Sequence, residues 1–474
     1  MILNRERFKS VTLLFLVILS FILTTRIWFN TSIEGIFIMS GNKAIKPEFN
    51  AEYDMSQLLK PHKLIVSFGE RSILQYDSEE NSETYNRIFK EAKRVIRTAV
   101  LVNSKDVVER VPVEELNRIR GTRGVSFIFN MPLEINGIYK LMNISSGDYI
   151  GIKSIDEIII SQSLNKMYMY DTVQNILYEF RTEGIQNNLD FMITSLEKLD
   201  TVTSLYLDKF DKFQPALYGK NAVVPTRMGS KGLPVLSGEM ELIAGEGIPE
   251  EIAALFDAEL EALSIIKNMD GTLVYTDRDN RVVKLYTNGM LEYVNYELQA
   301  SDSKTLDVSS AIDVSTEFVS RHFGFPEDSY ISDIIRGMRG DKYIIRYRYS
   351  FEGLPIVMSS GSNIDTIEVE IVGDQVKRYK RLVRTLHNDM QYKQVKNFRD
   401  ILDILLDKKV ETMSGEKIKT IKDMYLAYNE IYEEKNIRYV PVWVAEVTVE
   451  RLENGALLNQ RYILNAETGF ILDK

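Results

Sequence analysis

The apolar positions of this chain follow three rhythms. The first is an unbroken block: from Ser10 to Thr25, "SVTLLFLVILSFILTT" carries no charge, and apolar character resumes after Arg26 through Ile27, Trp28 and Phe29. At about 1.5 Å of rise per residue, roughly twenty such residues cross a hydrocarbon layer of ~30 Å, so residues 10–29 predict a transmembrane helix in a lipid bilayer. Arg26 and Trp28 suit the headgroup boundary. Arg5, Arg7 and Lys9 ahead of the block keep the N-terminus in the cytoplasm and send everything after it outside. "TRIWFNTS" is too bulky for a signal-peptide cleavage site, which favours an uncleaved anchor. Leu13, Val17, Ser20 and Thr24 share one face of that helix. Ser20 and Thr24 form a small-x-x-x-small pair, and the four make the candidate contact with a second membrane helix. The plainer alternative has both hydroxyls bonding their own backbone in lipid.

The second rhythm has helical spacing. In "SETYNRIFKEAKRVIRTAV" it places Tyr85, Ile88, Phe89, Ala92, Val95, Ile96 and Ala99 on one face. "IQNNLDFMITSLEKL", "DVSSAIDVSTEFVSRHFGF", "FRDILDILLDKK" and "IKTIKDMYLAYNEIYEEK" also read as helices. In "GEGIPEEIAALFDAEL", Pro249 with Glu250 and Glu251 marks a helix start. A phosphate loop there is disfavoured, because two carboxylates would repel the ligand.

The third rhythm is alternation. "PHKLIVSFG", "SILQYD" and "RGVSFIFNMP" read as strands, as does "DEIIISQSLNKMYMYDT" with a turn at Asn165–Lys166. "GTLVYTDRDNRVVKLYTNGMLEYVNYEL" reads as a meander, with Asn288–Gly289 as a two-residue hairpin turn. "DKYIIRYRYSFEGLPIVMS" and "DTIEVEIVGDQVKRYKRLV" are further strands. Near the end, Tyr439, Pro441, Trp443, Ala445, Val447 and Val449 share one strand face. The opposite face is apolar only through Val440, Val442 and Val444. Pro441 suits a strand start or an edge, and Gly469 closes the turn in "NAETGF".

The fold class expected is therefore α+β. Residues 1–30 form a cytoplasmic tip and anchor, and 31–218 a mixed extracytoplasmic domain that begins with a tether to about residue 60. Residues 233–386 and 387–474 form two helix-plus-antiparallel-sheet units that resemble a weak internal duplication. The glycine- and proline-rich stretch around 217–240 separates the first domain from these two.

Composition then narrows the chemistry. With a net charge of −10, non-specific binding to nucleic acid is disfavoured. There are no cysteines and only three histidines, His62, His322 and His387, with no metal-ligand spacing among them. No metal or cofactor is expected. Ser-x-x-Lys occurs at Ser40, Ser163, Ser195, Ser264, Ser301 and Ser414, but without the companion motifs of penicillin-recognising enzymes. Asp277 and Asp279 start like a calcium loop that lacks its glycine and closing glutamate, so turn chemistry is the reading. Lys377, Arg378, Lys380, Arg381 and Arg384 make either a partner surface or, more simply, a solvated strand offset by nearby acids. His322, after an amphipathic helix, reads as packed or capping, and His62 is given no role. No catalytic residue is named.

These stretches resemble the YycH family of membrane-anchored regulators from Gram-positive bacteria. "SFILTTRIW", "KPHKLIVSF", "GTLVYTDRDNRVVKLYTNGMLEYVN", "AIDVSTEFVSRHFGF", "FEGLPI" and "PVWVAEV" stand in family order along nearly the whole chain. "YTDRDNR" departs from the family in lacking glycine directly after Tyr-Thr-Asp. The resemblance implies three extracytoplasmic domains, with a C-terminal half (233–474) similar to YycI. It also implies no cofactor, and partnership with YycI and with the sensor histidine kinase WalK of the WalK/WalR two-component system, which controls cell-wall metabolism. The expected function is non-enzymatic regulation through the membrane helix. Its rivals are a cell-wall hydrolase with paired carboxylates, and a chaperone or protease inhibitor.

Overall fold

The computed structural model describes residues 58–473, except 79–80, 104–107, 143–150, 183–186, 199–202, 211–216, 227–231, 243–248, 260–261, 278–279, 299–305, 338–340, 359–365, 408–414 and 434–435. The predicted anchor, with Leu13, Val17, Ser20 and Thr24, and most of the tether lie outside the described residues. Among the described residues no helix is long and apolar enough to cross a membrane.

Among the described residues, alternation in the sequence becomes three sheets of nine, eight and eight strands, with a few helices laid on them, which makes the fold α+β. The N-terminal sheet runs, edge to edge, Glu109–Val111, Ile176–Arg181, Lys166–Asp171, Ser154–Ser161, Arg123–Glu134, Lys63–Phe68, Ser72–Gln75, Thr203–Tyr206 and Val223–Pro225. Helix Ser82–Asn103 packs on it through all seven residues read as its apolar face, together with Val100. The expected turn at Asn165 is present, with Asn165 at φ 51°.

The central sheet runs Ser264–Lys267, Leu273–Thr276, Arg281–Leu285, Leu291–Asn295, Gln375–Arg381, Ile367–Val372, Lys342–Arg348 and Tyr330–Arg336, every neighbour antiparallel. Helix Val308–Arg321 covers one face, its N-terminus capped by the Asp307 side chain, which accepts from Ser310 N–H. Phe318 of this helix packs edge-on against Tyr379 at 5.4 Å, and Phe325, just beyond the helix, packs on Tyr347 at 4.9 Å.

In the C-terminal sheet, Asn436–Arg451 is the spine. It pairs with Glu416–Glu433 on one side, and with Leu233–Met240 and then Leu457–Asn465 on the other. Leu233–Met240 also pairs with Arg384–Lys393. Leu354–Val357 joins parallel to Glu416–Glu433. Helix Phe398–Leu405 buries Phe398, Ile401, Leu402 and Leu405 in the same core as Tyr439, Trp443, Ala445, Val447 and Val449, the strand face read from the sequence.

Three expectations are corrected. "IKTIKDMYLAYNEIYEEK" is not a helix but most of the strand Glu416–Glu433. Bulges between Ile418 and Thr420 and between Ile421 and Asp423 each insert an extra residue. Ile418, Ile421 and Met424, which face one core, thus stand three apart in sequence and imitate helical spacing, whereas Met424, Leu426 and Tyr428 resume the period of two.

The hairpin at Asn288–Gly289 is not a two-residue turn. Tyr286 and Met290 close a three-residue loop, and of the pair only Gly289 has positive φ, at 79°. Pro441 is neither at a strand start nor on an edge strand. It sits inside the spine, where the outer neighbour changes from Leu236–Gly238 to Leu457–Asn465, and its carbonyl accepts from Ala466 N–H on that side. The missing N–H therefore falls at the break in the ladder, where no strand needs it.

Candidate functional site

The segment Lys60–Lys63 leads into the first strand of the N-terminal sheet and touches all three sheets. Lys60 Nζ lies 3.2 Å from Asp77 and 3.2 Å from Asp328, which precedes strand Tyr330–Arg336 of the central sheet. Burial alone would lower the Lys60 pKa, but Asp328 and Asp77 hold it above its ordinary value. His62 Nε2 is 3.6 Å from Asp423 Oδ2, and its ring stands edge-on to Tyr425 at 4.9 Å. Lys63 Nζ donates to Asp423 Oδ1, with Lys63 almost fully buried. Asp423 closes the second bulge of Glu416–Glu433, so the irregularity that disguised this strand also aims the carboxylate at the N-terminal sheet.

Beside this clamp opens a cleft of about 600 Å³. Its N-terminal wall carries Phe129, Asn130 and Asp156, its central wall Arg346 and Arg348, and its C-terminal wall Lys422, Asp423 and Glu446. A break in register between Ile128 and Leu133 throws Asn130 outward. Asn130 Nδ2 donates to the carbonyls of Ile331 (3.3 Å) and Ser332 (2.7 Å), covering part of the edge strand Tyr330–Arg336. This cleft, where residues of all three sheets meet, offers charges of both signs with aromatic surface between them.

Two carboxylates of the cleft are pushed in opposite directions. Burial raises Asp156 to about 6, against the opposing effect of bonds from Thr172 N–H and Oγ–H. Burial also acts to raise Asp423, but Lys63 and His62 overcome it and hold that carboxylate below the ordinary range.

For Asp156 the sign is worked through linkage. The folded state keeps the proton up to pH about 6, whereas the unfolded chain loses it near 3.8, so stability falls as pH rises between those values. That interval corresponds to at most about 3 kcal/mol at neutral pH. Asp156→Asn is therefore expected to raise stability by about 1–3 kcal/mol at pH 7.5 and to change little at pH 3.5, as read from urea midpoints. Equal effects at both pH values would show that the carboxyl does not titrate in that interval.

The basic run separates into two groups. Arg378 and Lys380 face away from the helix-covered core and meet acids on neighbouring strands: Arg378 is 3.8 Å from Glu292 and 4.0 Å from Glu370. Arg381 and Arg384 are not solvated. Both are essentially fully buried. Arg381 forms a two-toothed pair with Glu241 at 2.6 and 2.7 Å, and Arg384 bonds Glu430 at 3.2 Å and the Asn288 carbonyl at 2.8 Å. His322 ends helix Val308–Arg321 as its C-cap, its backbone N–H donating to the Phe318 and Val319 carbonyls, and its ring packs at a tilt on Phe318 at 4.5 Å, in line with the packed or capping role expected of it. Burial lowers its pKa.

Sequence reasoning missed His62, Asp156 and Asp423. A usable signal existed for one of them: "DEIIIS" puts Asp156 and Glu157 into an otherwise apolar strand, and Glu157 proves to be fully buried against Arg120. Nothing local marks His62 or Asp423, which lie 361 positions apart in the sequence.

Comparison with known proteins places this geometry in a family. A search of curated proteins finds no match. Among solved structures the chain is similar to YycH from Bacillus subtilis, at 13% identity and a TM-score of 0.55 over 86% of this chain and 97% of that one. It also matches an uncharacterized protein from Eubacterium rectale ATCC 33656, at 10% identity and a TM-score of 0.37 over 54% of this chain and 92% of that one. The YycH N-terminal domain family matches residues 6–191 and the YycH C-terminal domain family residues 252–454. With both of its characteristic domains matched in order over most of its length, the chain belongs to the YycH family.

Proposed function

We propose that this protein is a non-enzymatic accessory regulator of a WalK-like sensor histidine kinase controlling cell-wall metabolism. It acts through its transmembrane helix and a YycI-like partner, with its three folded domains outside the membrane. The observation that carries this reading is the match of both YycH domains, which together reach from residue 6 to residue 454. The apolar block 10–29 supplies a means of lateral contact, since small residues let membrane helices approach closely.

Ser20→Leu with Thr24→Leu is expected to leave insertion intact and to reduce kinase co-purification several-fold. Crosslinking from probes in the anchor, in intact cells, should capture the kinase and the YycI-like protein. A scrambled apolar anchor that regulates as well as the native one would refute helix-specific contact.

One observation favours a second reading, a wall hydrolase with paired carboxylates. Asp156 and Asp423 line one cleft and are held in opposite protonation tendencies, as an acid and a base would be. Against it, Asp423 is already committed to Lys63 and His62. Release of soluble fragments from purified peptidoglycan, abolished by Asp156→Asn, would favour the hydrolase.

A further inference from the structure

Helix Val308–Arg321 covers one face of the central sheet, and the other face is laid out in rows of matched side chains. In one row the register sets Lys284 opposite Glu292, Glu292 opposite Lys380, Lys380 opposite Glu368, Glu368 opposite Arg346, and Arg346 opposite Asp333. Charge therefore alternates strand by strand across six strands. The adjacent row on the same face reads Val282, Val294, Arg378, Glu370, Ile344 and Ile335. Its centre is charged and its ends are apolar; Val294 and Glu370 are already buried within the chain, and the other four are at least partly exposed.

Both rows have their midpoint between strands Gln375–Arg381 and Ile367–Val372. An alternating row with an even number of members changes sign when it is reversed. If a second identical face is laid on this one by a two-fold axis parallel to the strands, the first member of each row meets the last member of its copy. In the first row Lys284 then meets Asp333, Glu292 meets Arg346, and Lys380 meets Glu368. In the second row Val282 meets Ile335, Val294 meets Ile344, and Arg378 meets Glu370. Each of these six pairings is of opposite charge or of apolar with apolar. A two-fold axis along the rows would instead bring every charge against its own copy.

We infer that this face, which no helix covers among the described residues, is a self-association surface whose occupant is the same face of a second copy of the chain. Arg378, beside the axis, is held only loosely within its own chain: its side chain is 40% exposed and its contacts with Glu292 and Glu370 stand at 3.8 and 4.0 Å. Ile335, 40% exposed at one end, gains an apolar neighbour in the pairing. Six strands at about 4.8 Å spacing make the face ~24 Å wide, the small end of specific interfaces, so the association is weak and suited to molecules already concentrated on a membrane. Because Asp333 and Arg346 also border the cleft, the pairing brings the second copy's Lys284 and Glu292 to its mouth.

The test uses residues 49–474, a compact unit with its own cores, so that membrane helices contribute nothing. Sedimentation velocity across about 10–200 μM suits an interface of this size. The wild type should dimerise, and Lys380→Glu and Glu368→Lys should each weaken the dimer at least about tenfold. An equimolar mixture of the two variants should restore a dimer, because each copy then offers the other opposite charges at both positions. Repair of the cross-strand pair within a single chain cannot produce that rescue. Ile335→Lys, at an exposed edge position, should weaken the dimer without disturbing thermal unfolding. A wild type that stays monomeric at the highest concentration overturns the inference, as does a mixture that fails to rescue, or capture of a different protein on a face that never pairs with itself.

Discussion

Asp423→Ala should cost about 3–5 kcal/mol of stability, because it leaves the almost fully buried ammonium of Lys63 with no counter-charge. The loss is not confined to one sheet. Asp423 belongs to the C-terminal sheet and Lys63 to the N-terminal one, so urea unfolding should become broader or biphasic as the two sheets uncouple. Replacing both partners with apolar residues, Lys63→Met with Asp423→Leu, should recover most of the loss, since neither charge then needs desolvation. Lys60→Ala should cost only about 1 kcal/mol, because its ion pairs are a quarter exposed on the lysine side. If the double replacement is as unstable as the sum of its single changes, Lys63 and Asp423 are not coupled.

Arg381→Ala should be comparably severe, at about 5 kcal/mol, a large fraction of a usual folding free energy. Arg381 is fully buried and joins three elements. Its fork grips Glu241, directly after strand Leu233–Met240, while its remaining N–H groups reach the carbonyls of Gly324 (2.7 Å) and Phe323 (3.3 Å) beyond helix Val308–Arg321. Burial would lower its pKa, but Tyr379 and Glu241 hold it above its ordinary value, so the charge stays. Truncation strands a carboxylate and two carbonyls and opens a cavity. Arg381 also braces a strained turn: Phe323 has φ 68°, a left-handed conformation costly for an aromatic residue, and Arg381 bonds its carbonyl. Arg381→Lys keeps the charge but loses the fork and should cost about half as much. A thermal midpoint within a degree or two of wild type for Arg381→Ala would contradict this account. On the proposed function the prediction bears on regulation, because Arg381 ties the central sheet to the C-terminal one and a variant that loosens the tie should impair it.

The sequence by itself determined the order and identity of most elements. It specified the apolar face of helix Ser82–Asn103, the presence of the amphipathic helix Val308–Arg321, and the half-apolar second face of the spine Asn436–Arg451. These rest on local periodicity and short-range turn chemistry, which a linear chain displays directly. What only the tertiary structure decided is where periodicity was interrupted or charge was buried. Two bulges made strand Glu416–Glu433 read as a helix. Pro441 found an interior place only because two neighbours meet beside it. Arg378 and Arg381, three positions apart in one basic run, ended on opposite faces of one strand, one half-exposed beside Glu292 and Glu370 and one sealed against Glu241. The clamp on Asp423 and the cleft beside it exist only after three sheets converge. Ion pairs across hundreds of residues leave no periodic trace, because a charge in sequence carries no sign of the partner that folding will set against it.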